Sequence, residues 1–161
     1  TPGRYPVLLS AAEFQPIGDT RFACAKLQIS DKPTAQWEVA LMNDPDPDGE
    51  LDLSTYGVDS ATGSFLDYDA AQIMANLVSS GITYPDEFDL FCNRVIAQME
   101  QNSIGNYPLT AGWSNMKIGD DIEANIISFS SGWGVGSSPS FWGYDVSGDL
   151  TCLVTDFGLF L

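Results

Sequence analysis

Aromatic and glycine residues crowd one stretch, Ser130–Asp145 (SSGWGVGSSPSFWGYD), where Trp133, Phe141, Trp142 and Tyr144 stand among four glycines. Glycine permits positive φ or close backbone approach, and rings carried on a loop offer rigid contact area for a protein or a sugar. The same rings also suit a plug folded over one end of a sheet, since large aromatics seldom stay exposed. The spacing is not that of a phosphate loop, because no Lys-Ser or Lys-Thr pair follows. A second pattern, Asp44-x-Asp46-x-Asp48-Gly49-x-x-Asp52, opens like an EF-hand calcium loop. Its twelfth position is Thr55 where a bidentate Glu is needed, and Pro45 and Pro47 interrupt it. Asp44, Asp46, Asp48 and Asp52 therefore read as a solvated acidic loop with weak calcium binding at most, and no other cofactor is expected.

Familiar catalytic sets are missing. The chain has no histidine, which removes Ser-His and Cys-His pairs and His-ligated zinc. Nothing around Lys26, Lys32 or Lys117 resembles a nucleophile turn, and the carboxylates are too numerous for one acid–base pair to stand out. No catalytic residue is assigned, and the balance is against an enzyme.

The 161 residues fit one domain, and 44% hydrophobic content is enough for a core. Asp and Glu number 22 against 6 Lys and Arg, a net charge of −16. Such a surface will not hold a nucleic-acid backbone. The acids are unevenly spread: between Lys32 and Arg94 there are twelve and no base, whereas Arg4, Arg21, Lys26 and Lys32 lie near the start. Solubility by self-repulsion accounts for most of this, and steering toward a basic protein partner is the functional reading. No run approaches a membrane span or a signal peptide. Cys24, Cys92 and Cys152 lie far apart, an odd count that reads as reduced thiols in a cytoplasmic protein, with secretion after processing as the alternative. The chain opens on Thr1, so a processed or trimmed product lacking an upstream segment is expected.

These groups need a scaffold. Residues 5–9 suit a short strand, and 20–30 alternate, with Ala23, Ala25, Leu27 and Ile29 on one face and Phe22, Cys24, Lys26 and Gln28 on the other. The turn Asp31–Thr34 leads to Gln36–Met42, whose Trp37, Val39 and Leu41 share a face, and the two segments read as a hairpin with that face half-buried. Ala70, Ile73, Met74, Leu77 and Val78 have helical spacing behind a cap at Asp67 or Asp69. Phe91, Cys92, Val95, Ile96 and Met99 repeat it. Ile122–Ser130 and Leu150–Phe160 read as strands. The expectation is a single α+β domain, mostly antiparallel, with two amphipathic helices covering one face of a sheet.

Several motifs resemble those of a bacterial domain-of-unknown-function family, number 4241. Gly57-Val58-Asp59-Ser60-Ala61-Thr62-Gly63 with Phe65-Leu66-Asp67 is similar to one signature. Ser130–Gly134, Pro139–Asp145 and Leu153–Phe157 are similar to its C-terminal signature, and Pro2–Val7 and Arg21–Leu41 to its earlier strands. The resemblance spans nearly the whole chain. It implies a segment upstream and an Asp inside the Gly-Trp-Gly-x-Gly loop, where this chain has Val135. It implies no reaction.

The patterned residues Asp59, Asp67, Ser131, Trp133, Trp142, Tyr144, Asp145 and Asp156 are the binding candidates. The first functional expectation is a non-catalytic acidic interaction protein, an immunity or inhibitor protein against a basic effector. A module binding carbohydrate, calcium or both is the alternative, and a structural or self-assembling protein is a further one. The sequence leaves the oligomeric state open.

Overall fold

The computed structural model describes residues 3–41, 54–58, 60–80, 87–107, 109–118 and 123–160. These form nine strands and two helices: β1 (Val7–Phe14), β2 (Asp19–Gln28), β3 (Gln36–Val39), β4 (Thr55–Val58), β5 (Thr62–Leu66), α1 (Tyr68–Ser80), α2 (Glu87–Gln101), β6 (Trp113–Lys117), β7 (Asn125–Ser130), β8 (Gly136–Tyr144) and β9 (Leu150–Asp156). The strands make two antiparallel sheets, a large one ordered β1-β2-β9-β8-β3 with β4 also on β8, and a small one ordered β5-β7-β6. The architecture is α+β and antiparallel, as expected from the sequence.

Strand β7 sits at the centre, and its alternation explains the layering. Ile126 joins Ala70, Phe91, Val95, Met99 and Ile118 in the core beneath the helices. Its neighbours Ile127 and Phe129 point the other way, into a second core with Phe22, Ala25, Ala111 and Phe157. Successive side chains of a strand face opposite sides, so one strand can serve two cores. The helices cover one face of the small sheet, and the large sheet covers the other.

Helix α1 begins where Asp67 Oδ1 accepts the Ala70 N–H at 2.7 Å, satisfying a donor that the first turn leaves without an intrahelical partner. In α2 the core stripe is Phe91, Val95 and Met99, while Ile96, expected on it, is exposed. Positions four apart form the tightest row on a helix, and Ile96 lies one step off that row.

Four expectations are corrected. Strand β2 does not form a hairpin with β3, since β9 and β8 lie between them. Residues 29–35 do not turn back but run across the ends of those strands. Ile29 and Ser30 N–H both donate to Thr151 C=O, and Ala35 N–H donates to Tyr144 C=O. As a result the face of Trp37, Val39 and Leu41, expected to be half-buried, is exposed. The glycine-rich segment is mainly strand β8, not a loop. Pairing on both sides overrides its poor local propensity, with β9 on one flank and β3 on the other. The alternation read along 20–30 breaks at Ala23, where a bulge shifts the β1–β2 register. Phe22 and Ala25, three apart, are thereby both buried in the core.

Candidate functional site

Paired residues of an antiparallel ladder share a face, so the register maps both sides of the large sheet. One side carries Phe22, Ala25 and Thr155, all buried. The other carries a row that crosses all five strands: Leu8, Lys26, Val154, Phe141 and Val39. Four strand spacings make this row about 19 Å wide. Leu8 is 47% exposed, Val39 46% and the neighbouring Trp37 53%, and Val154 and Phe141 between them are only half-buried. At the Trp37 end Thr34 packs down onto the sheet. A Cβ at Gly143 would lie 2.9 Å from Thr34 Cγ2 and 2.7 Å from Cys152 Sγ, so glycine is needed there. Elsewhere among the described residues this face has no covering layer. Lys26 is the single cation in the row.

A second feature lies in the turn between β7 and β8. The Arg21 guanidinium stands 4.7 Å from the Trp133 ring centroid, a cation–π contact. Its Nε donates to Asp19 Oδ2 at 2.8 Å, and its Nη1 donates to Gly132 C=O at 2.9 Å. Gly132 has φ +55°, and a Cβ there would meet Phe157 Cβ at 2.7 Å, so only glycine lets the turn reach the arginine. Phe14 packs beside Trp133, with ring centroids 5.1 Å apart, and Phe160 lies beyond it at 6.4 Å. Asp19 is buried, and its Oδ1 has no hydrogen-bond partner among the described residues. Trp133 is still 57% exposed. The sequence reading missed Asp19, Arg21, Phe14 and Phe160, because strand pairing across the whole chain brings them to this turn.

A family model described as "Protein of unknown function (DUF4241)" matches residues 1–155. The chain belongs to this family. No curated protein and no solved structure matches it.

In this DUF4241 chain the motif residues fall at several separate places. Ser131 is buried and donates to Gly134 C=O at 3.0 Å, closing the β7–β8 turn. Trp142 and Tyr144 lie in the far half of β8, opposite Glu38 and Gln36 of β3. Asp67 caps α1, and Asp156 Oδ1 accepts the Gly158 N–H at 2.9 Å. Asp145 is buried at the β8–β9 turn, where its Oδ1 accepts the N–H groups of Ser147 and Asp149. Its Oδ2 pairs with Lys32 Nζ at 2.7 Å, and the same ammonium reaches Asp149. The Lys32 bond, then the Asp149 N–H, hold the Asp145 carboxyl below the usual carboxylate range. The two carboxylates hold the Lys32 ammonium above its ordinary range. Asp59 and the acidic run Asp44, Asp46, Asp48 and Asp52 lie outside the described residues. Among the described residues no group of three or more Cys, Asp or Glu could hold a metal ion, and no helix is long and apolar enough to cross a membrane. The three cysteines are unbridged.

Proposed function

We propose that this protein is a non-catalytic interaction protein that binds a basic protein partner through the open face of its large sheet, as an inhibitor or immunity protein would. The observation that carries the reading is the row from Leu8 to Val39, apolar but for Lys26, exposed at both ends and half-buried between, with Trp37 beside it. An uncovered sheet face of this kind has the make-up of an interface centre: aromatic and aliphatic anchors with few charges. The net charge of −16 supports the choice of partner. It raises the encounter rate with a cation and opposes acidic competitors. The patterned acids Asp67, Asp145 and Asp156 each bind backbone N–H groups of their own chain, so the recognition falls to the apolar row.

The test is affinity capture on the immobilised full chain from extracts of the cell that encodes it, at low salt and at 1 M salt. The expected result is a basic protein that is retained at low salt, weakened by 1 M salt, and lost from a Trp37→Ala, Val39→Ser double variant of unchanged circular dichroism. Capture indifferent to both changes, or no specific capture, would overturn the proposal.

A further inference from the structure

Among the described residues the large sheet ends at β3 on one side and at β1 on the other. Natural edge strands are blunted by short length, lysine, proline, bulges or a covering segment, because their unpaired main-chain groups would otherwise recruit another strand. Strand β1 is eight residues long, VLLSAAEF, and has no proline and no lysine. Its one charge is Glu13, near the end. The bulge in the β1–β2 ladder is taken up by β2 at Ala23, which leaves β1 regular. The direction of its main-chain groups follows from the ladder. Gln28 N–H donates to Pro6 C=O at 2.9 Å, and bonded and non-bonded pairs alternate from there. Leu8 and Ser10 therefore bond toward β2, and the N–H and C=O groups of Val7, Leu9 and Ala11 project from the free edge.

Charge selects the occupant. Residues 3–30 hold Arg4, Arg21 and Lys26 against Glu13 and Asp19, so this corner is slightly positive while the molecule as a whole carries −16. At this edge a second copy is not repelled as it would be over the acidic remainder. The strand is also asymmetric, with Arg4 just before it and Glu13 near its end. Laid antiparallel against itself, it brings the arginine of one copy to the glutamate end of the other. The contact that Arg4 makes within the chain, to Glu123 at 3.7 Å, is between two highly exposed side chains and is easily exchanged.

We propose that two copies of this chain pair through β1, antiparallel about a two-fold axis at Leu9, and so join their large sheets into one. In that register Leu9 faces its counterpart and Val7 faces Ala11, each pair exchanging two main-chain hydrogen bonds. Leu8 then lies across from Ser10 on the open face, which continues from one copy into the next. The shared surface is a strand edge with few side chains, so the dimer is concentration-dependent.

Sedimentation velocity of the full chain at physiological salt, over roughly a hundredfold concentration range, gives the mass. The expectation is a shift from monomer to dimer. Ser10→Lys with Ala11→Lys, both at exposed positions, should abolish the shift without changing the circular dichroism. Amide exchange on the native chain decides the matter without any variant: the Val7, Leu9 and Ala11 amides should be protected at high concentration and exchange freely on dilution. A monomer at every concentration, or a dimer whose Leu9 amide exchanges as a free edge, would overturn the proposal.

Discussion

Asp145 spends both carboxylate oxygens within its own chain, one on the backbone of the β8–β9 turn and one on Lys32. Its pKa is lowered on folding, so its contribution to stability is present above the unfolded value, about 4, and is lost as pH falls through the lower folded value. Asp145→Asn keeps an oxygen for the turn and removes the charge that faces Lys32. We expect the variant to melt several degrees below the native chain at pH 7. The gap should close as dilute samples are taken below pH 4, and melting curves by circular dichroism across that range check this. The motif pattern pointed to Asp145 and Trp133, and both occupy defined turns. Their partners were not legible, because Lys32 and Arg21 are far away in sequence and only strand pairing brings them close.

Helices α1 and α2 were legible because apolar spacing and a local cap are encoded within a few residues. Asp67→Ala should cost about 1 kcal/mol, the usual worth of an N-cap, measured by urea unfolding. An unchanged midpoint would mean that α1 is held by packing alone. Strands were less legible, each for its own reason. Strand β8 is rich in Ser and Gly, and its extended state depends on the neighbours at both flanks. The bulge at Ala23 changes the phase of burial without any sequence mark that an alternation count can register. The order of the sheet was hidden because Asp31–Thr34 looks like a hairpin turn, while the hydrogen bonds of residues 29–35 go to β9 and β8. The open face was therefore legible as an apolar stripe, but not as an uncovered one.

At the scale of the molecule, the acid excess strains each copy through self-repulsion. The described residues hold five ion-pair contacts, and in three of them both side chains are more than half exposed: Arg4–Glu123, Lys32–Asp149 and Lys117–Glu123. Screening should therefore relieve more repulsion than it weakens attraction. Calorimetric melting is expected to rise by a few degrees between low and moderate sodium chloride, and a fall would show that the ion pairs outweigh the repulsion. The sheet order has a kinetic consequence. The inner edge of the β1–β2 hairpin is closed by a strand far along the chain, since β2 meets β9 along Cys24–Gln28 and Cys152–Asp156. Contacts so distant in sequence make for slow folding. Until β9 has been synthesised, the β1–β2 ribbon has two open edges, and during that interval the nascent chain is exposed to mispairing and in need of a chaperone.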